Sequence, residues 1–129
     1  MPRGERDSPL DPALSDQPLR FPQKNRLNKS SDYQEVFKST CRSTDSNFII
    51  LVKRNKLSFA RLGLAISRKR IQSAVGRNKV KRMIRESFRH NKTDLKGLDV
   101  VVIAKKNINY QDRHVIGKSL MTHWRKLLE

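Results

Sequence analysis

After residue 20 the chain alternates between stretches of helical spacing and short apolar runs. The first helical signal follows Ser31. Ser31 and Gln34 stand at capping-box spacing, Asp32 adds negative charge near the helix start, and Tyr33, Val36 and Phe37 recur at i, i+3, i+4. This predicts a helix over 32–39 with one apolar, aromatic face. The polar segment 40–47 leaves room for a short edge strand. Residues 48–52, FIILV, form a β-branched run bounded by polar residues, the pattern of a strand covered on both faces. After a basic turn at 53–56, Leu62, Leu64 and Ile66 alternate with smaller or polar residues, which predicts a second strand over 61–67 with one face less covered.

The longest helical pattern runs over 73–90. A turn at 94–97 leads to the apolar run 99–104, a third strand. Asn109, with Asp112 three residues on, suits an N-cap, and Ile116, Leu120, Trp124 and Leu127 then line one side of a final helix ending near Leu128. Two strands joined through a helix imply parallel pairing of 61–67 with 99–104. The predicted class is α+β, a small sandwich built on one sheet.

Composition narrows the function. The chain has 129 residues, enough for one domain, and 29 Lys and Arg against 12 Asp and Glu give a formal charge of +17. Such a charge calls for a polyanionic partner, a polyphosphate or an acidic surface. All five prolines lie between Pro2 and Pro22, and residues 1–20 hold four acids against three arginines, so the whole positive excess sits beyond them. We therefore expect a flexible proline-rich tail over 1–20 and a single RNA-binding domain over 21–129. No apolar run approaches a bilayer span, and no secretory signal is recognisable at the start. The lone Cys41 can build neither an internal disulfide nor a cysteine metal site. The expected location is the cytoplasm.

The helix over 73–90 carries the chemistry. Between residues 68 and 92 stand ten lysines and arginines against the single acid Glu86. At about 100° per residue, Val80, Met83, Ile84 and Phe88 share one arc, while Arg77, Lys81, Arg82, Arg85 and Arg89 share another with Asn78 among them. Like charges at i, i+4 destabilise a helix by a few tenths of a kcal/mol per pair, and a merely solvated face interleaves both signs. The row Arg77, Lys81, Arg85, Arg89 makes three such like-charge pairs with little acid to relieve them, so we read it as a phosphate-binding face. Charge alone leaves RNA, DNA and anionic lipid open.

A protein-only nuclease would need convergent carboxylates, or histidine with carboxylates, to hold metals. The acids beyond residue 35 are Asp45, Glu86, Asp94, Asp99, Asp112 and Glu129, scattered and solitary. His114 and His123 lie nine apart, half a turn around the last helix, and cannot share a ligand. His90 suits the C-terminal end of the basic helix. A nucleophile motif and a glycine-rich phosphate loop are both missing, with Gly63 and Gly76 isolated. A DNA-binding protein would be expected to show a helix-turn-helix or dimerisation seam, which this pattern lacks.

Residues 76–88, GRNKVKRMIRESF, resemble the arginine-rich signature of the bacterial ribonuclease P protein component. Residues 24–27 (KNRL) with 32–37 (DYQEVF) are similar to the family's opening helix, and 61–69 (RLGLAISRK) to its strand leading into the basic loop. The strand 99–104 and the closing helix with Trp124 follow in order, so the resemblance covers about 24–128. One position departs: Lys79 stands where the family usually has arginine, which turns a bidentate contact into a point charge.

The resemblance implies an αβββαβα fold of the ribosomal protein S5 domain 2 type. It also implies a left-handed crossover around the signature helix, although strand twist by itself favours the right-handed one. It implies the protein subunit of a ribonucleoprotein endoribonuclease that removes the 5′ leader of precursor tRNA. Catalysis and Mg2+ then belong to the RNA subunit, with no metal bound tightly by the protein. The implied partners are ribonuclease P RNA and precursor tRNA, with no membrane and no further protein required. Carried over by position, Arg68, Lys69, Arg77, Asn78, Lys79, Lys81, Arg82, Arg85 and Arg89 would contact the RNA subunit. Arg26, Tyr33, Phe37 and Phe48 would line the leader cleft. Aromatic faces stack on unpaired bases with little sequence preference, which suits a variable leader, though Tyr33 and Phe37 at i, i+4 equally suit plain core packing. The remaining alternative is a ribosomal or other structural RNA-binding protein with no role in cleavage.

Overall fold

The computed structural model describes residues 23–106 and 108–128; the proline-rich segment 1–20 lies outside them. A 3₁₀ turn at Gln23–Asn25 precedes α1 (Ser30–Phe37), β1 (Arg42–Thr44), β2 (Phe48–Arg54), β3 (Arg61–Ala65), α2 (Ala74–Asn91), β4 (Leu98–Ala104) and α3 (Arg113–Leu127). The strands form one sheet in the order β1-β2-β4-β3. β2 pairs antiparallel with both β1 and β4. β3 pairs parallel with β4, Leu62 opposite Val100 and Leu64 opposite Val102, which is the pairing that a strand–helix–strand connection demands.

The sheet buries both faces, and alternation along its strands decides what goes where. Phe48, Ile50 and Val52 of β2 with Val100, Val102 and Ala104 of β4 face α2 and α3, where they meet Val80, Ile84, Phe88, Ile116, Leu120 and Trp124. The intervening residues Leu51 and Val101 face α1 and pack with Leu27 and Val36. Trp124 also meets Phe88 edge to face at 6.2 Å, and its indole N–H donates to the Ser87 hydroxyl at 2.8 Å. Burying an aromatic ring of this size contributes about 2–3 kcal/mol, so the pair fixes how α3 lies against α2.

Two expected caps are corrected. α1 begins at Ser30 with Lys29 as its N-cap and no side-chain cap bond, so Ser31 and Gln34 lie inside the helix and form no capping box. α3 begins at Arg113, and Asp112, not Asn109, caps it by accepting from the Val115 N–H at 3.2 Å. The Asn109 side chain is spent one turn earlier, accepting from the Gln111 N–H at 3.2 Å. α2 is capped by Ser73, which accepts from the Gly76 N–H at 3.1 Å. No described helix is long and apolar enough to cross a membrane.

Candidate nucleic-acid interface

β3 is an edge strand, and its outer edge shapes the site. The segment before α1 runs alongside it, with the Leu27 N–H donating to the Leu62 carbonyl at 2.9 Å and Arg26 bridged to Leu62. One residue pair further on, the Tyr33 hydroxyl accepts from the Leu64 N–H at 3.1 Å. The Tyr33 ring reaches this position only because residue 63 is glycine. A Cβ there would stand 2.7 Å from the ring's Cε1.

Beside this edge opens a cleft of about 220 Å³. Arg26 and Tyr33 wall it from the α1 side, Lys81 and Arg85 from α2, and Leu62 and Leu64 line it from β3. Partial burial, then the facing Arg26, hold the Arg85 guanidinium below its ordinary proton affinity, while Tyr33 acts in the opposite direction. Arg26, Lys81 and Arg85 thus bring three cationic side chains to one cleft, a lining suited to an anion. An adjoining depression of about 430 Å³ gathers Arg26, Arg82, Arg85 and Arg89 around Glu86. Glu86 is committed to Arg89 at 2.9 Å.

The rest of the predicted RNA-binding set divides. Asn78, Lys79 and Arg82 line a further depression of about 380 Å³ with Val75. Lys79 also reaches across to Gln111 at 3.3 Å. Arg68 and Lys69 are exposed on the turn before α2. Arg77 has a structural task as well: one terminal nitrogen donates to the carbonyls of Ile71 and Gln72, at 3.0 and 2.8 Å, and so ties down the loop that enters α2.

Of the expected cleft aromatics, Tyr33 alone lines the cleft. Phe37 is 46% exposed with its ring 6.5 Å from that of Tyr33, extending the aromatic surface outward. Phe48 does not belong there. It is wholly buried on the opposite face of the sheet, against His123, because strand alternation turns residues 48, 50 and 52 toward α2 and α3.

Sequence reasoning missed three polar features. Gly63 was legible as a glycine inside a strand, the mark of a close approach. The Arg61 guanidinium grips buried Asp99 with two bonds of 2.8 and 2.7 Å and lies 3.6 Å from Asp32 of α1. Asp99 raises the proton affinity of Arg61 further. Nothing in the linear pattern announced this pair, because its partners meet only through the β3–β4 register. The third feature ties β1 to α3: Ser43 bonds the His123 ring at 2.6 Å, and Asp45 stands 3.2 Å from its other nitrogen while accepting from Ser119. His123 lies one heptad from Ile116, on the apolar side of α3, which was the available signal.

Comparison with known proteins gives a consistent result. A model of the Ribonuclease P family matches residues 21–128. The ribonuclease P protein component of Methylococcus capsulatus is 41% identical over 104 residues, 81% of each chain. That of Aliivibrio fischeri is 44% identical over 107 residues, covering 83% of this chain and 92% of the relative. Among solved structures, the Staphylococcus aureus RNase P protein superposes with a TM-score of 0.73 at 31% identity, covering 80% of this chain and 94% of that one.

Proposed function

The chain belongs to the ribonuclease P protein family, and on that premise we propose that it binds RNA through two contiguous surfaces, the β3 cleft and the outward face of α2. As a ribonuclease P protein it is the accessory subunit of a ribonucleoprotein endoribonuclease of tRNA processing, and its partner is the ribonuclease P RNA. Precursor tRNA is the proposed second ligand, with its 5′ leader in the cleft. Tyr33 and Phe37 offer faces for unpaired bases, and Arg26, Lys81 and Arg85 offer cations for the phosphates between them. Arg82, Asn78, Lys79, Arg89 and Arg77, helped by Arg68 and Lys69, take the RNA subunit. The observation that supports this division is that Arg26 and Tyr33 face Lys81 and Arg85 across one cleft. A leader held there would lie against the helix proposed to bind the RNA subunit.

The protein's own carboxylates do not fit a resident magnesium ion. Asp99 is committed to Arg61, Asp45 to Ser119 and backbone N–H groups, and Glu86 to Arg89. No group of three metal-ligating side chains gathers among the described residues. The proposal therefore leaves magnesium and the hydrolytic step to the RNA subunit. It assigns the protein to holding substrate and RNA together, in the cytoplasm where precursor tRNA is processed.

The test is cleavage of 5′-labelled precursor tRNA in low, near-physiological magnesium by protein alone, ribonuclease P RNA alone, and both. Cleavage at the mature 5′ end in the mixture alone is expected. Cleavage by the protein alone would demand an active site within it. RNA binding without stimulation would move the assignment to a structural RNA-binding protein.

A further inference from the structure

A groove separates α2 from α3 on the side of α2 away from the cleft. Two adjoining cavities of about 550 and 330 Å³ run along it and share Ser87, His90, Arg113, His114 and Gly117. Arg82, Lys118 and Arg125 complete its charged rim. Its one carboxylate, Glu86, is taken by Arg89, and α3 carries no acid from Arg113 to Leu127. The ion pairs among the described residues use none of Arg82, Arg113, Lys118 or Arg125.

Gly117 makes the groove open. It lies inside α3 with an ordinary helical backbone, where glycine is a poorer helix former than alanine, and a Cβ built on it meets nothing within 4 Å. Neither conformation nor packing requires a glycine there. What its missing side chain does is lower the wall of a basic groove.

We propose that this groove seats the phosphodiester backbone of the ribonuclease P RNA, as a second contact continuous with the outward face of α2. The inference rests on the reading that α2 binds that RNA. Arg82 supplies the continuity: it borders the groove and also both depressions on the signature side. A strand held at Arg82 can cross α2 and meet Arg113 and Lys118 beyond it. Uncompensated positive charge, with a single spoken-for acid, selects a polyanion over a protein surface of mixed sign.

The experiment is filter binding of the full chain to transcribed ribonuclease P RNA across a salt series. The triple variant Arg113→Ala, Lys118→Ala, Arg125→Ala is expected to bind about 10–50-fold more weakly, with the slope of log affinity against log salt reduced by about two to three. Gly117→Leu keeps every charge but fills the groove, and is expected to lose several-fold in affinity. Gly117→Ala, which favours the helix, binds as wild type. Circular dichroism and melting temperature verify that each variant is folded. Unchanged affinity and slope in the folded triple variant would overturn the proposal. Loss in the triple variant with Gly117→Leu unaffected would reduce the charges to long-range attraction and overturn the seating. Asn78→Ala with Lys79→Ala, on the face of α2 assigned to the RNA subunit and outside the groove, measured alongside, separates the two readings. Loss there without loss in the groove variants removes the groove alone, whereas no loss in either removes the RNA-binding assignment of α2 as well.

Discussion

At Gly63 a single hydrogen atom decides whether the cleft has an aromatic wall. With a Cβ 2.7 Å from the ring, Gly63→Ala must push Tyr33 off β3 and break its bond to the Leu64 N–H. We expect a loss of about 1–3 kcal/mol in stability by denaturant unfolding, the cost of overpacking, together with weaker discrimination of precursor from mature tRNA. Tyr33→Phe is the control: it removes the hydroxyl, costs about 1 kcal/mol, and keeps both ring and discrimination. If Gly63→Ala preserves discrimination, Tyr33 is core and not cleft. The second residue-scale prediction concerns Asp45. Burial pushes its carboxyl up, but the Ser119 hydroxyl, the Phe48 and Asn47 N–H groups and His123 outweigh that and bring it down to about 2, from 3.8. A carboxyl depressed by folding stabilises fully above its unfolded value and loses that contribution as pH falls toward its folded one. Asp45 is only partly buried, so solvent screening limits the effect to about 1 kcal/mol. Asp45→Asn should therefore be destabilised by that amount at pH 7, with the gap to wild type closing between pH 4 and pH 2.

Helix α2 shows how one element carries two duties that substitution can separate. Arg77 binds the carbonyls of Ile71 and Gln72, whereas Arg82 makes no ion pair among the described residues and borders three depressions. Arg77→Ala should lower the melting temperature as well as the affinity for ribonuclease P RNA. Arg82→Ala should leave melting unchanged and weaken RNA binding by about 1–3 kcal/mol, with the salt slope falling by about one. Equal melting losses in both would remove the distinction. The element itself was readable because its two arcs are a property of spacing: Val80, Ile84 and Phe88 are buried as the period requires. β4, β2 and the parallel β3–β4 pairing were readable for the same reason. The start of α1 was not, because Lys29 caps it with no side-chain bond, and packing of Val36 and Leu27, not a capping signal, settles where the helix lies. Nor was the placement of Phe48, since a run apolar at every position does not say which residue faces which layer. The cleft needed the third dimension altogether. Arg26 and Arg85 lie 59 residues apart in the chain and meet only around the edge of β3.

At the scale of the molecule, 29 basic and 12 acidic residues set folding against binding. Ten of the basic residues stand between residues 68 and 92, on and before one helix, and their mutual repulsion is present whenever the RNA is absent. Among the described residues, the Arg61–Asp99 pair at 2.7 Å is shielded and changes little with salt, while the exposed pairs of Glu35 and Glu86 contribute little at any salt. The free protein should therefore become more stable as salt rises, because screening acts mainly on the repulsion. Going from 50 to 500 mM sodium chloride, we expect the melting temperature to rise by several degrees, about 1 kcal/mol for a domain of this size. The complex with ribonuclease P RNA should respond in the opposite sense. At low salt, RNA in hundredfold excess over its dissociation constant adds about 2.7 kcal/mol of stability, and that gain shrinks as counterions weaken binding. Melting curves taken with and without RNA across the salt series should thus approach each other from both sides. A free protein whose melting temperature falls with salt would mean that attraction among its own charges outweighs their repulsion. In that case the basic face would be a built network within the fold, and the charge that we assign to RNA would already have its partners.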